Sequence, residues 1–350
     1  MSKYFSSKLS SLIPYVPGEQ PKYMRYVKLN TNESPFAPSP KTVERAKEVI
    51  GQLNLYSDPE MSMLRKAASR VLGVGQDNIV FTNGSDEVLN FAFIACGEKG
   101  IVFPDITYGF YPVFADLNNI EHKTIPLKED FSIDYRDYLG LNKTIVIANP
   151  NAPTGKALPL NEIEEIVKSN SSVVIIDEAY VDFGGESAIK LTEKYENLLV
   201  VQTFSKSRSL AGARLGFAVG DASLIADINT VRYSTNPYNV NSVTQALGIG
   251  AFEDDGYYKS NCKIIEQNRD YLTEGLKKLG FEVIDSKANF VFARHEKVSG
   301  EQIYAKLKKE GVLVRHFTKE KIKEFNRITV GTIEQVEILL SKLSQITEEI

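Results

Sequence analysis

Six short runs of apolar, largely β-branched residues constrain the fold of this chain more than any other feature of its sequence. Most are apolar throughout rather than alternating apolar with polar residues, a pattern typical of strands covered on both faces. The runs are Ile79–Thr82, Ile101–Phe103, Thr144–Ala148, Val173–Asp177, Leu198–Thr203 and Leu215–Val219. Residues 64–72, which precede the first run, and residues 160–169, which lie between two later runs, carry apolar side chains at helical spacing. Because strands that alternate with helices pair in parallel through crossovers, the sequence predicts a doubly wound, mostly parallel α/β sheet.

The pattern changes along the chain, and its 350 residues are enough for two domains. The α/β alternation predicts a large domain at residues 46–253. Residues 254–350 alternate helices with short strands, which is typical of a smaller α+β domain. Its predicted strands are Phe281–Ile284, Asn289–Ala293, Val312–Arg315 and Arg327–Val330. Residues 1–45 contain six prolines and little periodicity, so they predict an extended N-terminal arm that packs with the small domain.

Composition excludes several classes of partner and cellular location. The 41 Lys and Arg residues against 45 Asp and Glu residues give a net charge of −4, which argues against nucleic acid and membrane surfaces as partners. Two cysteines cannot form a disulfide framework and share no metal-ligand spacing with the three histidines, so no metal site is expected. The sequence has no secretory apolar segment and no run of 18 apolar residues. A cytoplasmic protein is expected.

Polar residues follow several predicted strands, at the sheet edge where open α/β folds bind ligands. Asp177 ends a buried run, where an unpaired carboxylate is costly, although a capping role is an equal alternative. Lys206 follows Leu198–Thr203, and burial there favours the neutral amine that Schiff-base chemistry needs; a solvated loop lysine is the alternative. Arg214, eight residues further on, is a cation within reach of a phosphate.

A second group of residues completes a pattern of binding chemistry. Gly84, Ser85 and Asp86 follow the first strand and begin a helix, so their amides form an anion site or, alternatively, an ordinary capping turn. Tyr108 follows another strand and either stacks on an aromatic ligand or packs as an ordinary tyrosine. The sequence contains neither a Walker A phosphate loop nor a G-x-G-x-x-G dinucleotide-binding motif. An amine, an acid and an anion site together match what pyridoxal phosphate needs for its aldehyde, ring nitrogen and phosphate.

Over almost its whole length the chain resembles the fold-type I pyridoxal-phosphate enzymes, and among them most closely the histidinol-phosphate aminotransferase family. The segments that carry the resemblance follow the family's order: KLNTNESP at 28–35, NPNAPTG at 149–155, DEAY at 177–180, TFSK at 203–206, LAGARLG at 210–216 and NRITVGT at 326–332. The resemblance implies transamination of histidinol phosphate with 2-oxoglutarate, which gives imidazole acetol phosphate and glutamate in histidine biosynthesis.

The resemblance also implies roles for individual residues. Lys206 would bind the cofactor's aldehyde and move the substrate proton, Asp177 would pair with the ring nitrogen, and Tyr180 would hydrogen-bond the ring's phenolic oxygen. Tyr108 would stack on the ring. The phosphate would be held by Gly84, Ser85, the backbone N–H of Asp86, Ser205 and Arg214. Ala152 stands where many relatives have asparagine, so the contact to the ring oxygen falls to Asn151, which we expect, or to Tyr180 alone.

Further roles concern the partner subunit and the substrate. Tyr56 matches a family tyrosine that reaches the cofactor phosphate of the partner subunit, which implies an obligate homodimer. Substrate recognition would rest on Tyr15, Asn32, Arg315 and Arg327, because the guanidinium fork binds phosphate and carboxylate groups. Paired surface charge is the alternative for the two arginines.

Rival functions share parts of this pattern. Threonine-phosphate decarboxylase and aromatic amino acid aminotransferases use the same scaffold and differ in pocket contacts. A regulator that uses an aminotransferase-like domain only to sense pyridoxal phosphate would be fused to a DNA-binding module, and the chain carries no basic helix that would suit one.

Overall fold

The structure, a computed structural model, describes residues 2–10, 12–20 and 26–348. Parts of the predicted arm (residues 1, 11 and 21–25) and of the predicted small domain (349–350) lie outside the described residues. The strands are β1 Val27–Lys28, β2 Ile79–Thr82, β3 Ile101–Pro104, β4 His122–Ile125, β5 Thr144–Ala148, β6 Val174–Asp177, β7 Leu198–Thr203, β8 Gly216–Gly220, β9 Phe281–Ile284, β10 Phe290–His295, β11 Val312–Leu313, β12 Arg315–His316 and β13 Asn326–Thr329.

Helices connect most of these strands. The α-helices are α1 Pro40–Val49, α2 Ser62–Leu72, α3 Ser85–Cys96, α4 Phe110–Leu117, α5 Leu160–Ser169, α6 Ala222–Thr235, α7 Ser242–Glu253, α8 Asp255–Lys278, α9 Gly300–Lys309 and α10 Ile333–Glu348. Short 3-10 helices lie at Ser7–Leu9, Ile50–Gln52, Gln76–Asn78, Tyr135–Tyr138, Val181–Phe183, Ala188–Glu193, Ala211–Ala213 and Glu320–Ile322. In the ranges that the structure describes, no helix combines the length and the apolar character needed to cross a bilayer.

The large sheet has seven strands in the order β2-β8-β7-β6-β5-β3-β4. Strands β4, β3, β5, β6 and β7 pair in parallel, and β8 is antiparallel to both of its neighbours. The doubly wound, mostly parallel sheet predicted from the sequence is therefore confirmed. Since parallel strands run in one direction, the carboxyl ends of β5, β6 and β7 lie along the same edge.

Each face of this sheet is covered by its own layer of helices. On β5, Ile145 and Ile147 pack into one core with α2, α5 and α7, while Val146 packs into the other with α3, α4 and α6. All five residues of β5 are buried. This two-sided burial is the reason that the strand sequences are apolar throughout rather than alternating.

A second, smaller sheet is antiparallel, in the order β12-β13-β10-β9, and α8, α9 and α10 cover it with a separate apolar core. Strand β1 of the arm pairs in parallel with β11 beside this sheet. The seven-stranded sheet lies within residues 46–253 and the antiparallel sheet within 254–350. The domain boundaries themselves stay a prediction.

Two local features differ from the sequence-based expectation. Strand β4 is not predicted, because it is an edge strand with a partly exposed, polar sequence, His-Lys-Thr-Ile. The single strand predicted at Val312–Arg315 is wrong, because β11 pairs with the arm whereas β12 pairs with β13. The chain changes its pairing strand at Val314, so the residues of one predicted strand pair with two different strands.

Candidate functional site

A cavity of about 270 Å³ lies at the carboxyl ends of the central parallel strands. The last residues of β5, β6 and β7, which are Ala148, Asp177 and Thr203, form its floor. Its other lining residues come from the arm, the α3 N-terminus and the loops after the strands: Thr31, Glu33, Ser85, Asp86, Tyr108, Ala152, Ala179, Tyr180, Ser205, Lys206, Ala211 and Arg214. The topology thus brings together most of the polar residues that the sequence places at strand ends.

Lys206 extends into this cavity from the loop after β7. Its Nζ donates a hydrogen bond to the backbone oxygen of Thr31 at 3.2 Å and lies 5.9 Å from the ring centroid of Tyr180. Burial lowers the pKa of Lys206 to about 8, and the nearby Arg327 guanidinium acts in the same direction. A substantial fraction of this amine is therefore neutral just above neutral pH, which is the nucleophilic form.

Asp177 is a buried carboxylate with fixed orientation. One of its oxygens accepts a hydrogen bond from the hydroxyl of Tyr111 at 2.8 Å, and the other accepts one from the N–H of Ala179 at 3.2 Å. Burial raises the pKa of Asp177 to about 6 although both hydrogen bonds act against it. A cationic N–H donor in the cavity would hold this group ionised.

An anion cradle forms at the N-terminus of α3. Gly84 precedes the helix with φ +81°, and no side chain caps this end, so the first amides of Ser85 and Asp86 point outward. Arg214 closes the cradle, with its guanidinium 3.1 Å from a carboxylate oxygen of Asp86 and 3.5 Å from the hydroxyl of Ser205. The Asp86 carboxylate would repel a phosphate, so only the N–H of this residue suits an anion.

Tyr108 and Tyr180 form aromatic walls of the cavity. The Tyr108 hydroxyl donates to the carboxylate of Asp86 at 2.8 Å. The Tyr180 ring packs edge-on against Phe290 at 5.0 Å, and its hydroxyl oxygen accepts a hydrogen bond from the side-chain amide of Asn32 at 3.0 Å. Each hydroxyl thus has one fixed protein partner.

Asn151 and Asn32, both predicted for the site, are buried residues that line neither this cavity nor the one beside it. The amide of Asn151 is buried and points away: it donates to the backbone oxygen of Ile106 and to Thr154, and it accepts a hydrogen bond from Thr107. Asn32 is 1% exposed, and its amide contacts Tyr180 and Thr329. Ala152, not Asn151, faces the cavity. The predicted contact of Asn151 with the ring oxygen therefore has no support in its contacts.

A second cavity, of about 600 Å³, adjoins the first and shares Tyr108 and Ala152 with it. Arg327 and Arg315 line it from the smaller sheet and Tyr15 from the arm. The Arg327 guanidinium donates to the backbone oxygen of Asn30 at 3.0 Å, and its buried Nε has no hydrogen-bond partner among the described residues.

Arg315 and Tyr15 hold the arm against the second cavity. Arg315 donates to the backbone oxygens of Val16 and Pro17 at 3.2 and 3.3 Å. The Tyr15 ring stacks on Phe110 at 4.2 Å. The structure thus brings Tyr15, Arg315 and Arg327 together, as the sequence predicts.

Tyr56 lies elsewhere. Its side chain is 83% exposed and stacks on Tyr238 with 4.5 Å between the ring centroids. It lines neither cavity of its own chain.

Three residues of the site are not marked by strand ends in the sequence: Thr31 and Glu33, which line the first cavity, and Tyr111, which is buried behind Asp177. Tyr111 lies one helical turn after Tyr108, and this spacing is the only signal for its contact with Asp177. Thr31 and Glu33 belong to the arm, where no periodicity marks them. Burial acts to raise the pKa of Glu33, but hydrogen bonds from Lys28 and Thr31 outweigh it, so the pKa is lowered and the carboxylate stays charged beside Lys206.

The residues present fit pyridoxal phosphate. One cavity holds an amine of lowered pKa, a buried carboxylate and an anion cradle, which match an aldehyde, a ring nitrogen and a phosphate. Glycines keep the cradle open: a Cβ on Gly84 would lie 2.5 Å from the Arg214 guanidinium, and one on Gly216 would lie 2.2 Å from the amide nitrogen of Ser85.

Comparisons with known proteins agree with this reading. The sequence profile of the family "Aminotransferase class I and II" matches residues 25–343. The chain is 47% identical to a histidinol-phosphate aminotransferase of Brachyspira hyodysenteriae over 99% of both chains. It is 49% identical to histidinol-phosphate aminotransferase 1 of Hydrogenovibrio crunogenus over 99% of this chain and 98% of that protein. The structure of a Sinorhizobium meliloti histidinol-phosphate aminotransferase in complex with pyridoxal 5′-phosphate has the same fold, with a TM-score of 0.91, 22% identity and coverage of 100% and 99%.

Proposed function

Because the chain belongs to the class I and II aminotransferase family, we propose that it transfers the amino group of histidinol phosphate to 2-oxoglutarate, with pyridoxal phosphate as cofactor. The products are imidazole acetol phosphate and glutamate, a step of histidine biosynthesis. The observation that carries this function is the placement of Lys206, Asp177 and the α3 anion cradle around one cavity. The similarity to relatives of that name over 99% of the chain specifies the substrate.

Lys206 is the proposed catalytic base and acid. When bound, pyridoxal phosphate supplies an aldehyde that takes up an amino group and a ring that accepts the electron pair left when the substrate Cα loses its proton. Because its pKa is about 8, the Lys206 amine can accept a proton at the substrate Cα and release it again near neutral pH. Its position in the loop directly after β7 places its Nζ in the cavity.

Asp177 and Tyr180 are proposed to fix the charge on the ring. Asp177 would accept a hydrogen bond from the ring N–H, and Tyr111 and Ala179 keep its carboxylate in the orientation that this requires. Tyr180 would donate to the phenolic oxygen of the ring. Tyr108 would stack on the ring face.

The cofactor's phosphate would sit at the N-terminus of α3. The backbone amides of Ser85 and Asp86 donate there, and the Ser205 hydroxyl and the Arg214 guanidinium complete the cradle. Gly84 allows the close approach, since a side chain at this position would meet Arg214.

Arg327 is proposed to bind the anionic group of each substrate. Its guanidinium has no carboxylate partner among the described ion pairs, and its buried Nε has no hydrogen-bond partner there. The residue lines the second cavity. Arg315 and Tyr15 would complete the pocket. Asn32 is not assigned to the substrate, because its amide is committed to Tyr180 and Thr329.

A homodimer with shared sites is also proposed. Tyr56 is highly exposed, and exposed apolar side chains surround it in sequence, as expected for a surface that a second copy covers. Tyr56 would then reach the phosphate at the partner's cradle. The cytoplasmic location stays a prediction.

A half-reaction titration tests the proposed function. Histidinol phosphate is added, without any keto acid, to the purified, cofactor-loaded protein, and the visible absorbance band is followed. Bleaching by histidinol phosphate and by glutamate, with recovery on addition of 2-oxoglutarate, is the expected result. Release of carbon dioxide from threonine phosphate, with no response to histidinol phosphate, would instead identify a decarboxylase. Bleaching by phenylalanine alone would identify an aromatic amino acid aminotransferase.

A further inference from the structure

The hydroxyl oxygen of Tyr180 accepts a hydrogen bond from a residue in the protein interior. Its oxygen accepts from the side-chain amide of Asn32 at 3.0 Å, in a buried contact. Tyr180 is 9% exposed and lines the cofactor cavity, and Phe290 packs against its ring. A phenol that accepts from Asn32 keeps its own hydrogen available for a second partner, and the remaining open direction is the cavity.

The hydrogen-bond network around Asn32 fixes which end of its amide faces Tyr180. The backbone N–H of Asn32 donates to the Thr329 hydroxyl at 2.9 Å, and that hydroxyl donates to the amide oxygen of Asn32 at 3.0 Å. The backbone oxygen of Asn32 accepts from Asn289 at 3.0 Å. Reversing the amide would leave the buried Thr329 hydroxyl hydrogen without an acceptor, which is costly. The nitrogen therefore faces Tyr180.

The backbone of Asn32 is also held in an unusual conformation. Its φ is +56°, in the left-handed region that asparagine tolerates better than most residues, and its side chain is 1% exposed. The arm is thus held against β13 at the residue that donates a hydrogen bond to Tyr180. This arrangement delivers a donor to the Tyr180 oxygen with little freedom to move.

The NPNAPTG loop supplies no donor at the same place. Ala152 faces the cavity, and the amide of Asn151 is engaged by Ile106, Thr107 and Thr154. Tyr180 is left as the hydroxyl whose hydrogen can reach a ring oxygen on this side of the cavity. The orientation of that hydrogen then matters more than it would beside a second donor.

We propose that Asn32 is a positioning residue that acts through Tyr180: by donating to the Tyr180 oxygen, it directs the Tyr180 hydrogen toward the phenolic oxygen of the cofactor. This inference rests on the proposed function and deepens it. Asn32 touches neither cavity, so it is neither a substrate ligand nor a catalytic residue. A hydrogen bond to the ring oxygen stabilises negative charge there and so favours the deprotonated form of the lysine-bound cofactor.

The test is a pH titration of the visible absorbance of the cofactor-loaded protein. In Asn32→Asp the isosteric carboxylate only accepts hydrogen bonds, so it takes the Tyr180 hydrogen away from the cavity. The midpoint of the titration is expected to rise by about one pH unit. Asn32→Gly suits the positive φ, removes the donor without adding an acceptor, and is expected to raise the midpoint by less.

The matched control repeats both substitutions in a Tyr180→Phe background. Without the hydroxyl, Asn32→Asp and Asn32→Gly should leave the midpoint where Tyr180→Phe alone puts it. A carboxylate that acts only by its charge would raise the midpoint equally in both backgrounds, and that result overturns the inference. Midpoints unchanged by either Asn32 variant overturn it as well.

The charged groups near the titrating centre are kept constant in all variants. They are Arg327, Glu33, Asp86 and Arg214 around Lys206, and Arg327, Asp177 and Asp86 around Tyr180. Failure of the proposed function is separately visible, because the unsubstituted protein would then show no visible band that bleaches with histidinol phosphate.

Discussion

Lys206 and Asp177 carry opposite formal charges, yet burial moves the pKa of each toward neutrality, to about 8 for the amine and about 6 for the carboxyl. The two groups line one cavity, but Asp177 is hydrogen-bonded to the Tyr111 hydroxyl, whereas Lys206, among the described residues, is hydrogen-bonded to a single backbone oxygen. The carboxylate is therefore fixed in place, whereas the amine can leave its partner at little cost. That difference suits a group that holds a ring and a group that moves a proton.

The lowered pKa of Lys206 predicts how the protein takes up its cofactor. Only the neutral amine attacks an aldehyde, so the rate of pyridoxal phosphate incorporation into the cofactor-free protein should rise with pH and level off above a midpoint near 8. The visible band measures this rate. Arg327→Gln removes a positive charge that helps to lower this pKa, so it should shift the midpoint upward.

Two controls separate this effect from the chemistry of the cofactor. Lys156, a partly exposed lysine paired with Asp130 at 3.3 Å and outside the first cavity, provides the variant Lys156→Ala, which should keep the midpoint near 8. A free lysine derivative treated in the same buffers should show a midpoint near the ordinary lysine value of about 10.4. A protein midpoint at that ordinary value would contradict the environment described for Lys206.

At the scale of elements, the sequence predicts a strand well where both faces of the strand are buried. It predicts a strand poorly where the strand lies at a sheet edge or pairs with the arm. Strands β2, β5 and β7 have the predicted bounds because each contains at least three consecutive apolar residues. The polar edge strand β4 lacks that signal. The change of partner at Val314 depends on where the arm lies, and no pattern within residues 312–315 encodes that position.

The site shows a similar contrast between residues that a sequence pattern marks and residues that distant contacts position. Lys206, Asp177, Arg214 and the α3 turn are predictable because each follows a strand end or begins a helix. The amides of Asn32 and Asn151 contact other protein groups and do not line the first cavity, and no sequence pattern indicates this, because the direction of a buried amide is decided by its hydrogen-bond partners. Those partners lie far away in sequence, as with the contact between Asn32 and Thr329.

The turn from β2 into α3 offers a test at this scale. Gly84→Ala adds a Cβ at φ +81° and 2.5 Å from the Arg214 guanidinium, so it should strain the turn and displace the cradle cation. We expect the affinity for pyridoxal phosphate to fall at least about tenfold, since one charge-assisted contact contributes about 1.5–3 kcal/mol. Equilibrium titration of the cofactor-free protein measures this loss.

Gly73→Ala is the matched control, because Gly73 ends α2 at φ +74° and a Cβ there has no neighbour within 4 Å. It should cost about 1 kcal/mol in the free energy of unfolding, measured without cofactor, and leave the cofactor affinity unchanged. Equal loss of affinity in both variants would show that backbone strain alone, rather than the contact with Arg214, governs binding.

At the scale of the whole molecule, the two cavities lie where the large sheet, the small sheet and the arm meet. Lys206 and Asp177 come from the large sheet, Arg327 from the small one, and Thr31 and Tyr15 from the arm. The arm is bound to the small sheet through β1 and β11. Any movement of the small sheet relative to the large one would therefore carry Arg327 and the arm together.

One exposed apolar region lines neither of the two cavities. Residues 50–63 carry a set of exposed large apolar side chains, and Tyr238 stacks on one of them: Ile50, Leu53, Leu55, Tyr56 and Met63. Concentrated apolar exposure of this kind is typical of a protein interface. The region includes Tyr56, so an interface formed here would bring this tyrosine to another chain.

Complementation between two inactive variants tests whether that tyrosine acts in the partner's site. Lys206→Ala removes the amine of its own site, and Tyr56→Ala is expected to weaken the phosphate site of its partner. In a mixed dimer, the chain with Tyr56→Ala keeps Lys206 and receives an intact Tyr56 from the other chain, so one of the two sites is complete. Random mixing makes half of the dimers mixed, and roughly a quarter of the wild-type activity should return. Such recovery needs subunit exchange, which size-exclusion chromatography of differently tagged chains can verify.

If exchange occurs and activity stays at the level of the separate variants, Tyr56 does not act in the partner's site, and the shared-site dimer is wrong.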